Sequence, residues 1–528
     1  MKEQNAPSLF NFSDQKIKVL HLTWIAFFLT FVVWFNLAPI LTKLLEEFDW
    51  LTKANIKSLL ICNVALTIPA RVVVGGLIDK YGPRKVFAGL MVLTTIPGLL
   101  FAFGNSLTQL ILSRLLLGTI GAGFVIGIKM VANWFPPKYI GRAEGFYAGW
   151  GNFGSAAAAA VVPFIAFNII GGDDGWRWSL ALTSIICGAY GLFYYFAVDD
   201  YPEGREPAKH EKKAGPMLVT SYGDLVQYLL WQLPLYGALG LLVFNLHKQK
   251  VQDVPLISDA WMWGIWGMLL LAYLLDASRI VSVNLKNLKT TKYDEKDRFH
   301  FASVGALNST YFANFGAELA VVSMLPMFFE TVFRTLTDSN GDPIVTKTVA
   351  GAIAGSFAFM NLFARPLGGL LSDKMGSRKK TMILYMVGIC VGFFAMANIA
   401  KYGDVVDGEQ TLLPMFSGMW WLVVSVIITM FASFFVQGAE GATFAMIPTI
   451  KKEMTGRIAG MAGAYGNVGA VTYLFVFSFV DAKTFLYILA AGALISTIYC
   501  GLALKEPKDS FAEDFDDVKE KEPALETA

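Results

Sequence analysis

The stretch "CNVALTIPARVVVGGLIDKYGPRK", residues 62–85, sets one arginine, Arg71, in an apolar run with no other charge from Cys62 to Ile78. If the run crosses a bilayer, that placement costs roughly 2.5 kcal/mol even on the lenient insertion scales. The rest of the chain decides whether it crosses. The 528 residues are 55% hydrophobic and 16% charged, with a mean hydropathy of +0.51, whereas soluble domains carry about 25% charge. Apolar stretches of about 20 residues, enough to cross a ~30 Å hydrocarbon core, recur from end to end. This is the composition of a polytopic, all-α membrane protein. The formal charge of +2 gives no reason to expect a nucleic-acid partner, because the charges fall in the breaks between apolar runs.

Runs near 18–42, 56–79, 85–104, 107–134, 142–169 and 177–198 form a first set of six. Runs near 300–330, 349–373, 380–400, 418–448, 457–480 and 483–504 form a second. The chain therefore divides into an N-terminal segment (1–17), a six-helix bundle (18–198), a central linker (199–299), a second six-helix bundle (300–504) and an acidic tail (505–528). The tail is too charged to pack a core and is expected to be disordered. Inside the linker, 224–246 and 260–283 are each long enough to span as an extra apolar hairpin, or to lie along the interface. The run at 18–42 is too long for a signal peptide and lacks a small-residue cleavage site, so it reads as the first retained helix.

The basic breaks at 80–85, 136–142, 204–213, 374–380 and 451–457 fall on one side in this count. The positive-inside rule makes that side cytoplasmic, with both termini, in a cell inner (cytoplasmic) membrane. The four cysteines lie in apolar segments, the four histidines lack ligand spacing, and no Walker A pattern occurs. No disulfide framework, metal, cofactor or ATP is expected, and no catalytic constellation suggests an enzyme.

Arg71 is not alone. "ARVVVGGLIDKYGPRK" (70–85) aligns with "ARPLGGLLSDKMGSRK" (364–379), setting Arg71 on Arg365, Asp79 on Asp373 and Arg84 on Arg378 at one offset of 294. "GRAEGFYAGWGNFG" (141–154) aligns with "GRIAGMAGAYGNVG" (456–469), setting Asn152 on Asn467 at an offset of 315. Two repeated six-helix halves are the organisation of a secondary transporter, with the substrate site at the midplane between them. Each arginine lies eight residues before its aspartate, about 12 Å from the helix end at 1.5 Å per residue. A lone buried arginine is usually an ion-pair partner. Two at one depth, with few nearby membrane carboxylates to neutralise them, read as a clamp, because the guanidinium fork suits small planar oxyanions.

"GGLIDKYGPRK" and "GGLLSDKMGSRK" resemble the loop motif that follows the second and eighth helices of the major facilitator superfamily. The motif reads as a tight glycine turn in which Asp79, Arg84, Asp373 and Arg378 gate one conformation of the bundle. "AGWGNFG" and "GAYGNVG" resemble the G-x-G-N segments in the fifth and eleventh helices of the nitrate/nitrite porter family. With the paired arginines, this resemblance covers the chain apart from 199–299. It implies the major facilitator fold, two six-helix bundles related by a pseudo-two-fold repeat, with nitrate and nitrite as substrates.

The resemblance also assigns residues. Arg71 and Arg365 would bind the anion, with Asn152, Asn467, Gly151 and Gly466 shaping the site. "TYFANFG" offers Tyr311 and Phe315 as an aromatic pair one turn apart, and "VWFNL" offers Phe35 as a lid. Lys129, Glu318 and Glu440 sit where apolar residues would be cheaper, either as structural ion pairs or as proton-coupling groups. They resemble the proton-coupled branch of the family. The expected protein is thus a nitrate and nitrite importer working by alternating access and proton symport, with nitrate/nitrite antiport and an anion channel as alternatives. Its partners would be the two anions, protons, the lipid bilayer and a cytosolic regulator of the tail. Replacing Arg71 or Arg365 by lysine keeps the charge and loses the fork, so labelled-nitrate uptake should fall in both variants; wild-type uptake in either would contradict the clamp.

Overall fold

A computed structural model describes residues 9–135, 137–202, 215–251, 254–291, 293, 298, 300–406, 409–451 and 454–506. The expectations for the tail beyond residue 506 lie outside the described residues. The first half contains α1 (Gln15–Phe35), α2 (Leu41–Glu47), α3 (Lys53–Ala65), α4 (Thr67–Tyr81), α5 (Pro83–Ala102), α6 (Leu107–Leu117), α7 (Gly123–Trp134), α8 (Pro137–Phe164) and α9 (Gly175–Ala197). A hairpin of α10 (Tyr222–Lys248) and α11 (Asp259–Thr290) follows. The second half contains α12 (Phe301–Val332), α13 (Lys347–Phe359), α14 (Asn361–Lys374), α15 (Arg378–Ala397), α16 (Met419–Ile450), α17 (Thr455–Phe477) and α18 (Ala482–Ala503). Among the described residues, the strands form two antiparallel ribbons, one of which pairs Ala400–Val406 with Glu409–Pro414.

Among the described residues, twelve helical stretches are long and apolar enough to cross a membrane, and α10 and α11 are two of them. The runs at 56–79 and 349–373 are not single helices as the pattern suggested. Each is interrupted, at Leu66 and at Met360, which are again 294 residues apart. In the first, Pro69 has no N–H to offer the Ala65 carbonyl, so the helix restarts at Thr67. Each arginine therefore stands five residues past a break, where main-chain groups are free to meet something other than their own helix.

The repeat also sets the helix ends. Gly82 and Gly376, at the shared offset, turn the chain with φ of 82° and 61°. This corrects the expected glycine turn: Gly75 and Gly76 lie inside α4, and a Cβ on either would meet open space. A Cβ at Gly82 would instead overlap the Asp200 carboxylate. Asp200 accepts the Arg84 N–H (2.6 Å) at the start of α5, while the Arg84 guanidinium pairs with Asp199 (2.8 Å). Burial pushes the Asp200 carboxyl above its ordinary range, and the bonds from Arg84 oppose that. Glu506 does the same for α15, accepting from the Arg378 N–H (2.6 Å) and the Ser377 hydroxyl (2.7 Å). The side chains of Asp79 and Asp373 lie outside the described residues.

At the opposite ends, Arg177 donates to the Ala102 and Gly104 carbonyls (both 3.1 Å) beyond α5. Lys483 donates to the Ala397 and Ala400 carbonyls (2.9 and 2.7 Å) beyond α15. A third cation unseen in the sequence reading, Arg114, is fully buried and donates to the Trp34 carbonyl (2.6 Å) and Asn36 (3.1 Å), where α1 ends. All three are cations at helix C-termini, the favourable end of the macrodipole.

The halves meet away from the basic loops through Thr42 and Glu330 (2.7 Å), Lys347 and Glu46 (2.8 Å), Thr348 and Asn168 (3.0 Å), and Lys57 and the Val480 carbonyl (2.7 Å). The first three of these contacts rim a vestibule of about 730 Å³. The hairpin packs through α10 against α12, α17 and α3, while α11 leans on α10 and turns Trp261, Trp263, Leu270, Leu271 and Leu275 outward. Replacing Asp200 or Glu506 by alanine removes an N-terminal cap and should cost about 1 kcal/mol each, read as a lower melting temperature of purified protein in detergent. Gly82→Ala should cost more, since it adds a positive-φ strain to the lost space.

Candidate functional site

Between the halves lies a narrow, closed cleft with no room for a free water molecule, lined by Phe31, Arg71, Phe124, Asn152, Tyr311, Phe315 and Arg365. Five of the residues singled out from the sequence meet there: Arg71, Arg365, Asn152, Tyr311 and Phe315. Asn467 is buried on α17 and faces the Gly463 carbonyl at 3.5 Å rather than lining the cavity. Phe35 sits one turn behind Phe31, with ring centroids 5.6 Å apart, so Phe31 supplies the wall expected of Phe35. Lys129 is half-buried on α7, five residues past Phe124, and does not line the cavity.

Phe31 and Phe124 were missed, although the repeat carries a signal for both. "FFLTF" (27–31) aligns with "YFANF" (311–315) at an offset of 284, which sets Phe31 on Phe315. "GAGF" (121–124) aligns with "GAEG" (438–441) at 317, which brings Phe124 to the α16 segment holding Glu440.

The glycines of the G-x-G-N segments make room rather than touch a ligand. A Cβ at Gly466 would overlap the Phe315 ring and crowd Tyr311, and one at Gly151 would overlap the Phe27 ring. Since Phe27 is the repeat equivalent of Tyr311, both halves use the same device: a glycine on one helix seats an aromatic from the next. In the second half the two rings end nearly parallel, 5.1 Å apart and 9° off plane, and form one flat wall.

The two arginines are treated differently. Among the described residues, Arg71 donates to the Gly463 carbonyl (3.2 Å) across the interface and to the Gly121 carbonyl (3.5 Å), with its guanidinium over the Phe124 ring at 5.7 Å. Arg365 lies over the Phe315 ring at 6.0 Å, contacts the Glu440 carboxylate and stands 3.9 Å from that of Glu318. Glu318 in turn accepts from the Asn361 amide at 2.6 Å. The expectation of few carboxylates near the arginines therefore fails for Arg365, which has two. The repeat gives the reason: the positions matching Glu318 and Glu440 are Trp34 and Gly123, so only the second half supplies acids.

The four ionisable groups Arg71, Arg365, Glu318 and Glu440 sum to zero when all are charged. A guanidinium held by backbone carbonyls keeps its full positive charge for an incoming anion, whereas one held by carboxylates must first be released. The flat aromatic wall and the two forks suit a small planar oxyanion.

The Major Facilitator Superfamily profile matches residues 23–290 and 307–526. The nitrate/nitrite transporters NrtP of Picosynechococcus and of Nostoc punctiforme are each 43% identical to this chain, over 94% and 96% of it and 94% and 95% of their own lengths. The high affinity nitrate transporter 2.5 of Arabidopsis thaliana is 28% identical over 89% of this chain and 75% of its own. Among solved structures, a D-xylose–proton symporter superposes with a TM-score of 0.61 at 14% identity, covering 94% of this chain and 99% of that one. That likeness concerns the fold alone. Gly466→Ala should lower thermal stability by about 1–3 kcal/mol through overpacking. Gly460→Ala, whose Cβ meets nothing within 4 Å on the same helix, should be neutral or stabilising; equal melting temperatures for the two would contradict the seating role.

Proposed function

Because the chain belongs to the Major Facilitator Superfamily, and within it to the family of the cyanobacterial nitrate/nitrite transporters, we propose that it imports nitrate and nitrite across the cytoplasmic membrane by alternating access coupled to protons. It is a multi-pass membrane transporter and not an enzyme. The observation that carries the proton-coupled reading is the contact of Arg365 with Glu440, beside Glu318.

An anion entering the cavity meets Arg71 without competition and Arg365 only in competition with a carboxylate. A carboxylate that loses its partner in a buried site is left uncompensated, at a cost of about 3–5 kcal/mol. Taking a proton removes that cost, since burial disfavours the charged form. Substrate binding and protonation then favour each other.

The same groups account for the return step. Two arginines alone would leave an empty site at +2, which is expensive to reorient through a low-dielectric path. With both carboxylates ionised the empty site is neutral. One anion with one proton is neutral too, while a second proton makes the loaded site +1. A membrane potential negative inside would drive that state inward with about 2.3 kcal/mol per 100 mV.

The contacts Thr42–Glu330, Lys347–Glu46 and Thr348–Asn168 bridge the halves at the end away from the basic loops, which this reading makes the outer face. They are the contacts that must part for substrate to enter from outside. The basic loops and both termini are then cytoplasmic.

The test is labelled-nitrate uptake into proteoliposomes of purified protein, once with an inward proton gradient and once with internal nitrite and no gradient. Symport requires accumulation under the gradient alone, saturating with nitrate. Accumulation only with internal nitrite would make the protein an exchanger, and unsaturable flux without accumulation would make it a channel.

A further inference from the structure

We infer that Asn361 is a positioning residue that divides the labour between the two buried carboxylates: it holds Glu318 as a standing counter-ion, so that Glu440 carries the transported proton. The inference rests on the symport reading above and names the residue that performs it. Asn361 opens α14 immediately after the break at Met360, is fully buried, and lies four residues before Arg365. Its repeat equivalent is Thr67, 294 residues earlier, which bonds the Gly118 carbonyl at 2.7 Å. In the second half the same position reaches a carboxylate instead. The Asn361 amide N–H donates to Glu318 Oε1 at 2.6 Å, and a donor facing a carboxylate favours its ionised form.

Glu440 has no such support. Among the described residues its carboxylate, 1% exposed, finds Arg365 and no other donor. When an anion takes the Arg365 fork, Glu318 keeps the Asn361 N–H, whereas Glu440 keeps nothing. Glu440 is therefore the group that must bind a proton: an O–H bond forms on one carboxylate oxygen, the proton comes from water on the entry side, and it returns to water when the anion leaves and Arg365 closes again.

The other titratable groups around Glu440 do not compete. Tyr311 on α12 and Tyr385 on α15, whose ring packs on Gly438, are phenols that stay neutral at working pH. Arg71, across the cavity, bonds backbone carbonyls.

The experiment uses full-length protein in proteoliposomes, with nitrate as the probe, and compares gradient-driven accumulation, nitrate–nitrate exchange, and the dependence of the nitrate KM on external pH. Glu440→Gln is expected to lose gradient-driven accumulation at least ten-fold more than it loses exchange, and its KM to become flat with pH. Glu318→Gln leaves the empty site at +1, so it is expected to slow gradient-driven accumulation and exchange alike while the KM stays pH-dependent. Asn361→Ala removes the donor that favours ionised Glu318, so Glu318 shares the proton with Glu440 and the KM–pH midpoint moves by about one unit. In a Glu318→Gln background the same alanine should move the midpoint by less than about 0.3 units, because Asn361 acts through Glu318. A merely structural Asn361 would shift both backgrounds alike and overturns the inference. Retained coupling in Glu440→Gln, lost coupling in Glu318→Gln, or loss of exchange equal to the loss of coupling in Glu440→Gln also overturns it. A wild-type protein that shows no gradient-driven accumulation instead removes the symport reading itself.

Discussion

A guanidinium in the middle of an apolar bundle needs partners, and the rest of this structure follows from how two of them are provided. Leaving either unpaired would cost several kcal/mol, which aliphatic neighbours do not offset. Arg71 is given backbone carbonyls, Gly121 at the break between α6 and α7 and Gly463 within the continuous helix α17. Arg365 is given carboxylates, which themselves have to be held. The broken helices, the glycine close approaches and the buried glutamates are all consequences of placing two forks at one depth.

The repeat supplies the geometry, and departures from the repeat supply the chemistry. Breaks at Leu66 and Met360, turns at Gly82 and Gly376, and the end caps Asp200 and Glu506 recur in both halves, so the frame around each arginine is the same. Within that frame, Trp34 faces the role of Glu318, and Gly123 that of Glu440. Substituting two acids in one half converts a symmetric pair of cations into a neutral cluster with one permanently available fork and one conditional fork. On the proposed mechanism, a symmetric site would bind an anion well and return empty badly.

Much of this was legible in the sequence because it was written twice. The paired arginines and Asn152 could be placed by the repeat, and Tyr311 and Phe315 by the family resemblance. What escaped was whatever depends on which helix faces which. Phe31 rather than Phe35 lines the cavity, because α1 presents its wall one turn earlier than a local reading suggests. Gly151 and Gly466 were taken as site-shaping and prove to be seats for rings, a distinction that rests on a neighbour's position and not on spacing. The pairing of Arg365 with Glu318 and Glu440 joins three helices far apart in the chain, α14, α12 and α16, and no pattern along any one of them announces it. The breaks were missed for a different reason: apolar composition runs smoothly through Leu66 and Met360, and only Pro69 hinted at the first.

The hairpin between the halves belongs mechanically to the second. Asp224 accepts the Phe301 N–H (2.8 Å) at the start of α12, the Trp231 carbonyl accepts from Tyr465 of α17, and Trp231 fills the space beside Gly305. Against these, a direct side-chain bond to the first half joins Asn55 on α3 to Gln249 at 2.7 Å, at the end remote from the basic loops. On the alternating-access reading proposed above, a body tied at several points to one half can follow it while the halves rock, parting the packing of α10 on α3 and the Asn55–Gln249 pair. Its outer helix, apolar and turned away from the protein, offers lipid a surface that need not change during the motion. The added helices thus enlarge the second bundle, and among the described residues none of their side chains lines the cavity, where Arg71 and Arg365 come from the core helices.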